Sequence, residues 1–212
     1  MFTFRLPHAT KQSDMRTLDA TMVMSESRKP AALNTAIEDD GALIVRRFLA
    51  GEERAFDELV VRYQPYVYNV CLQMLDNPSD AEDTAQNVFV AVYRALPRFR
   101  MQSKVSTWIY RIAVNQCISW RRGRREELPI EIEISDSAPD FEDAEKRREI
   151  GHLLQKLAPH YRAVLVLKYY RELSYEEIAD ILAWSPDKVK CYLHRARNIF
   201  KKLYQAEHGG MP

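Results

Sequence analysis

Between residues 98 and 125 basic and aromatic side chains alternate. Arg98-Phe99-Arg100 is followed by Lys104 and by Trp108-Ile109-Tyr110-Arg111-Ile112-Ala113-Val114-Asn115, and the stretch closes on Trp120-Arg121-Arg122-Gly123-Arg124-Arg125. Single-stranded nucleic acid binding requires this mixture, because cations follow the phosphates while aromatic faces accept unstacked bases. Trp108, Ile109, Ile112 and Ala113 fit a buried helical face equally well. The run from Arg121 to Arg125 is the better electrostatic candidate, since no acid interrupts it and such a helix end is costly unless solvated or paired with phosphate.

A second cationic set lies further along. Lys188, Lys190, His194, Arg195, Arg197, Asn198 and Lys201 share one face of a helix whose other face carries Val189, Leu193, Ala196, Phe200 and Leu203. Upstream, Ser174-Tyr175-Glu176-Glu177 has the form of a capping box opening a short helix with Ile178, Ala179, Ile181 and Leu182 turned inward. Ala183-Trp184 supplies a tight turn, and Ser185-Pro186 supplies an N-cap followed by proline at the first helical position. Short helix, turn and longer basic helix describe a helix-turn-helix, whose second helix enters the major groove. A generic amphipathic pair is the plainer alternative.

A third set is acidic. Asp80, Glu82, Asp83, Gln86 and Asn87 line the face of a helix opposite Ala85, Val88, Phe89, Val92 and Tyr93. Acids favour the N-terminal dipole, so a solvated face is one reading and a docking patch is the other. Catalysis finds less support. Cys71, Cys117, Cys191 and the five histidines are scattered, with no nucleophile beside a base and no metal-ligand spacing, so neither an enzyme, a metal site, a cofactor nor a small-molecule substrate is expected.

At the level of the scaffold, 212 residues with 10 Pro, 6 Gly and few alternating β-branched runs suggest one or two small helical domains. No apolar run approaches the roughly 18 residues of a membrane span and no secretion signal opens the chain, so a soluble cytosolic protein is the expectation. The net charge of +1 conceals segregation. Residues 41–127 hold 13 bases and 10 acids, residues 146–212 hold 13 and 7, and residues 128–145 between them hold 7 acids and no base. That middle segment carries Pro129 and Pro139 and lacks helical periodicity, so it reads as an extended acidic linker. Either it is a solvated loop or it is a negative strap for a basic channel. Residues 1–37 are polar and weakly patterned, and read as a disordered leader in which Met22 and Met24 could serve as alternative starts.

The first block, 38–127, begins with a short amphipathic helix through Leu43, Ile44, Val45, Phe48 and Leu49, ended by Gly51. A second helix starts near Glu53 and carries Phe56, Leu59, Val60, Tyr63, Val67, Val70, Cys71, Met74 and Leu75 inward, with Pro65 expected to kink it. Ser79-Asp80-Ala81-Glu82 reads as the capping box of a third helix that lasts until Pro97. The second block, 146–208, adds helices through Ile150 to Leu157 and Ala163 to Tyr169 before the helix-turn-helix.

Three strings then occur in order: Asp80-Ala81-Glu82-Asp83-Thr84-Ala85-Gln86-Asn87-Val88-Phe89 with Tyr93-Arg94-Ala95-Leu96; Ser106-Thr107-Trp108-Ile109-Tyr110-Arg111-Ile112-Ala113-Val114-Asn115; and Leu173-Ser174-Tyr175-Glu176-Glu177-Ile178-Ala179 with Val189-Lys190 and Leu193-His194-Arg195-Ala196-Arg197. Over residues 39 to 205 the chain resembles a bacterial sigma factor of the extracytoplasmic function (ECF) type, the minimal sigma-70 form with regions 2 and 4 only. The resemblance implies an all-α protein of two small domains, region 2 at 38–127 and region 4 at 146–208, which binds core RNA polymerase and directs promoter-specific initiation.

By the same resemblance, Asp80, Glu82, Asp83, Gln86 and Asn87 would meet the beta-prime clamp helices. Arg98, Arg100, Lys104, Trp108, Arg111, Asn115, Arg121, Arg122, Arg124 and Arg125 would recognise and melt the −10 element, Asn115 lying near a base captured out of the stack. Ser185, Lys188, Lys190, Cys191, His194 and Arg195 would read the −35 element while Arg197 and Lys201 hold phosphates. Region 4 would also meet the beta flap, and the acidic linker would thread the polymerase cleft. An anti-sigma factor, often membrane-bound, is a further implied partner, and no extra C-terminal domain fits after residue 205. The chain departs from the family pattern at Asn87, where Glu is usual, and at Ala183, Asp187-Lys188 and Cys191-Tyr192, where Gly, Gly-Thr and Ser-Arg are common. Base preference therefore does not carry over. A stand-alone helix-turn-helix regulator is the alternative function.

Overall fold

The computed structural model describes the backbone of residues 32–126 and 141–208, with side chains at 41–123 and 148–208, and every regular element there is helical. In chain order these are α1 (Ala32–Leu49), α2 (Arg54–Leu75), α3 (Pro78–Ala95), a 3-10 turn (Leu96–Arg98), α4 (Val105–Glu126), α5 (Phe141–Gln155), α6 (Pro159–Leu165), a π-helical turn (Val166–Tyr170), α7 (Tyr175–Leu182) and α8 (Pro186–His208).

Helix α2 is the centre of the first cluster. Leu59, Tyr63, Val67, Val70 and Met74 recur at three or four residues and are buried, facing Ala81, Ala85, Val88 and Val92 of α3 and Ile109, Ala113 and Cys117 of α4. α1 closes the bundle with Ile44 and Val45, and its buried Gly41 matters by what it lacks: a Cβ there would lie 2.3 Å from the Tyr63 hydroxyl. Arg47, paired with Glu52 and with Glu58 at 2.7 Å, ties the end of α1 to the start of α2. Pro65 sits inside α2, and the helix runs through it without a break.

Three local expectations are corrected. α1 begins at Ala32, so residues 32–37 are helical rather than disordered leader, and α5 begins at Phe141, inside the segment read as linker. Residues 1–31 and 128–140, which carry the rest of those two readings, lie outside the described residues. The start of α3 is capped by Asn77, not Ser79: the Asp80 N–H donates to Asn77 Oδ1 at 3.0 Å and Pro78 takes the first helical position. Asn-Pro outcompetes the Ser-x-x-Glu pattern two residues later because proline needs no hydrogen-bond acceptor at that position.

The second cluster packs α6 and α7 on α8, with Leu153, Leu154, Leu157, Ile178, Ile181, Val189, Leu193, Ala196 and Phe200 buried. The two clusters also pack on each other: α4 lies against α6 and α7, and α2 against α5, α6 and the π turn. Their buried residues form one continuous apolar core.

Candidate nucleic-acid interface

The helix-turn-helix is built by its caps. Ser174 Oγ accepts from the Glu177 N–H at 3.1 Å while the Glu177 carboxylate accepts from the Ser174 N–H at 2.9 Å, so two donors at the start of α7 are satisfied reciprocally. α7 ends on Ala183 in the left-handed region, φ 54 and ψ 47, which reverses the chain within two residues. α8 then starts from Ser185, whose Oγ accepts from the Lys188 N–H at 3.3 Å. With Val189, Leu193, Ala196 and Phe200 turned into the core, Lys190, Cys191, His194, Arg195, Asn198 and Lys201 are left exposed along one stripe.

Three basic residues of α8 are engaged differently from what their spacing alone conveys. Lys188 Nζ sits 4.3 Å from the Trp184 ring centroid and 5.7 Å from that of Tyr192, a cation held over aromatic faces at the entrance to the helix. Lys190 lies 3.5 Å from Asp187, and Arg197 is half-buried over the Tyr169 ring at 5.9 Å. Burial, with the Lys188 and Arg122 charges adding to it, lowers the His160 pKa, and its ring sits 5.5 Å from Trp184.

The 98–123 stretch divides by the helical period. Lys104, Trp108, Arg111, Asn115 and Arg122 fall on one side of α4, with Lys104, Asn115 and Arg122 exposed and Trp108 and Arg111 half-buried. Trp108 stacks on Phe99 at 4.6 Å between centroids, which gives the 3-10 turn and following loop a fixed aromatic floor beside the exposed Arg98 and Arg100. Arg124 and Arg125 continue α4, their side chains lying outside those described. Arg121 points elsewhere: its guanidinium donates to Gln155 and, at 3.4 Å, to the Met74 carbonyl.

The acid and amide set stands on α3, with Glu82, Asp83, Gln86 and Asn87 exposed and Asp80 half-buried. Beside it Val60 and Tyr68 of α2 and Ala85 and Phe89 of α3 line a groove of about 660 Å³ whose rim includes Glu82, Gln86 and Gln64. Val61, Val90 and Tyr93 are exposed on the same two helices, Tyr93 packing edge-on against Phe56 at 4.9 Å. An apolar groove with a charged rim suits a protein partner rather than phosphate.

Several polar residues that the spacing left unmarked do the joining. Arg162 is fully buried, donating through Nε to Leu154 O at 2.5 Å and through Nη1 to Met74 O and Gln155 Oε1, both at 2.5 Å. Arg171 stands 4.5 Å from the Tyr66 ring centroid and 5.0 Å from that of Tyr110, and donates to the Tyr110 hydroxyl. Burial drives the Tyr110 hydroxyl up to about 12 despite that cation, so it remains protonated at neutral pH. No sequence signal within either block marks these two arginines, because the partners that join the clusters, Met74 for Arg162 and Tyr66 and Tyr110 for Arg171, are distant in the chain. Among the described residues no cluster of His, Cys, Asp and Glu could hold a metal ion, and no helix is long and apolar enough to cross a membrane.

Comparison with known proteins adds to this geometry. Residues 59–127 match the family described as Sigma-70 region 2, and residues 147–199 match Sigma-70, region 4. The chain is 34% identical over 174 residues to the ECF RNA polymerase sigma factor SigW of Bacillus subtilis, an alignment covering 74% of this chain and 93% of that protein. It is 30% identical to the ECF RNA polymerase sigma-E factor of Escherichia coli K12, covering 77% of this chain and 93% of the relative. Among solved structures, CnrH in complex with the cytosolic domain of CnrY superposes with a TM-score of 0.62 at 26% identity, covering 77% of this chain and 96% of that one.

Proposed function

The chain belongs to the sigma-70 family, in its ECF branch, and on that premise we propose how its surfaces divide the work of a sigma factor. The protein binds core RNA polymerase and directs promoter-specific initiation; it is not an enzyme. Asp80, Glu82, Asp83, Gln86 and Asn87, with the apolar groove beside them, are the surface for the beta-prime clamp helices. Arg98, Arg100, Lys104, Trp108, Arg111, Asn115 and Arg122 take the −10 strand, and opening it requires only that binding energy offset a few kcal/mol of unstacking per base. Arg121, Arg124 and Arg125 extend that electrostatic surface.

On α8, Ser185, Lys188, Lys190, Cys191, His194 and Arg195 face the −35 element, while Arg197 and Lys201 hold phosphates. The observation that carries this reading is the exposed stripe of Lys190, His194, Arg195 and Lys201 on a helix entered through two fitted caps. A protein regulator of the anti-sigma kind is part of this proposal; CnrH, a structural neighbour, is itself seen in complex with another protein, the cytosolic domain of CnrY. The protein's place of action is the bacterial cytoplasm, with retention near the membrane if that regulator is anchored there.

Run-off transcription on a promoter library, with core bacterial polymerase and with or without this protein, tests the proposal. Start sites that depend on the protein and share two spaced elements are the expected result. Specific duplex binding with no initiation would instead identify a stand-alone helix-turn-helix regulator.

A further inference from the structure

A notch of about 180 Å³ opens where α4 meets the start of α6, lined by Ile118, Arg121 and Arg122 on one side and Pro159 and His160 on the other. The His160 and Trp184 rings lie 5.5 Å apart between centroids, and Lys188 Nζ lies 4.3 Å from the same indole, so the turn before α8 continues the wall. Arg121 is committed to Gln155 and to the Met74 carbonyl. Arg122, His160 and Lys188 are exposed, and among the described residues none of their side chains forms an ion pair.

Basic groups from α4, α6 and α8 thus stand within electrostatic reach of one recess. Their repulsion is felt at His160: partial burial, and after it the Lys188 and Arg122 charges, hold the imidazole below its ordinary value of 6.5. A titratable group shifted by like charges at the edge of a cleft marks a place where an ion of opposite sign is favoured. The size of the recess limits that ion. Pockets for drug-sized ligands begin at roughly 300 Å³, so this one suits a single tetrahedral anion, to which Arg122 offers a planar fork of donors and Lys188 a point charge.

We propose that Arg122, His160 and Lys188 form a phosphate site at this notch. It depends on no DNA assignment, because His160 lies outside both surfaces described above and an anion among three basic groups is favoured whatever else they do. On the function proposed above, Arg122 belongs to the −10 surface and Lys188 to the −35 surface, so a phosphate held here withdraws a cation from each. Two sources carry the same chemistry: a free phosphate or phosphomonoester, and the diester backbone of DNA.

The full chain, without polymerase or promoter, is titrated with inorganic phosphate and separately with sulfate, whose charge is constant near neutral pH, while sodium chloride keeps the ionic strength fixed. A third titration uses a short oligonucleotide without terminal phosphates. Histidine ring resonances are followed by NMR, and that of His160 is identified by its loss in His160→Gln. Phosphate and sulfate should shift the His160 resonance saturably and raise its pKa, because anion binding and protonation favour each other by the same factor. Arg122→Ala, at an exposed side chain, should weaken the anion at least about tenfold, the loss of one charge-assisted hydrogen bond. Arg122→Lys should restore part of that affinity, since the charge is kept and the fork is lost.

Saturation by inorganic phosphate at a lower concentration than by the oligonucleotide's diesters identifies a free phosphate or phosphomonoester as the ligand, and the reverse order identifies a backbone contact. A His160 resonance that moves no more with phosphate or sulfate than with chloride overturns the site. So does a shift that saturates at the same concentration in Arg122→Ala. These titrations need neither promoter nor polymerase, so failure of the wild type in run-off transcription would count against the function proposed above and leave the site standing.

Discussion

Arg121 and Arg162 converge on one acceptor, the backbone carbonyl oxygen of Met74, and share Gln155 as a second. Met74 lies in the last turn of α2, and Leu154 and Gln155 end α5, so the two guanidiniums occupy the point where two helix C-termini present unpaired carbonyls. A cation in that position gains from both dipoles and from hydrogen bonds that no water could supply as compactly.

Arg162→Ala should therefore destabilise the protein by about 3 kcal/mol, combining the cavity with the carbonyls left unpaired. Urea unfolding followed by helicity measures the loss. A change under about 0.5 kcal/mol, the size of an ordinary surface substitution, would contradict the role.

Replacing Asp83 and Gln86 by Ala should weaken core polymerase binding by about tenfold or more, the range of well-placed interface contacts, with no change in thermal stability because both side chains are exposed. Fluorescence anisotropy of labelled protein titrated with core polymerase reads this directly. Unchanged affinity would remove the α3 face from the polymerase contact.

Lys190→Ala and Arg195→Ala should each lower initiation at promoters that depend on the −35 element by about 1–3 kcal/mol if they read bases, and should spare promoters that rely on the −10 element. A base-reading residue also changes which sequences are preferred. A uniform loss that shrinks the salt dependence would reassign the residue to phosphate.

Glu177 links pH to stability. Burial would raise its carboxyl, but the Ser174 N–H and the Lys104 ammonium outweigh that and hold it below its ordinary value of 4.5. The folded form thus favours the carboxylate, and the stabilisation is complete above the ordinary value and lost as pH falls through the lowered one. Thermal midpoints of wild type and Glu177→Gln should differ near neutrality and converge as pH falls through that lowered value. A gap that persists into acid would mean that the charge is not what Glu177 contributes.

The elements whose causes are local were legible in the residue pattern. Ser174 with Glu177, Ser185 with Pro186 and the inward stripe of α8 each depend on neighbours within four residues, and each is found as expected. The cap of α3 was misplaced by two residues because Asn77-Pro78 and Ser79 to Glu82 offer competing starts, and only the geometry of the entering chain selects between them. The seam between the clusters was not legible at all. Arg162 contacts Met74 across 88 positions and Arg171 contacts Tyr110 across 61, and such pairs follow from topology, not from spacing.

The turn at Ala183 carries an evolutionary implication. An L-residue with a Cβ held at φ 54 costs roughly 1 kcal/mol over glycine, so the lineage of this chain has one inexpensive stabilising step available at the joint that sets the angle of α8. Substitutions elsewhere on α8 that alter base contacts at some cost in stability could be compensated from that single position, which leaves the recognition surface freer to drift than a turn already optimised would allow.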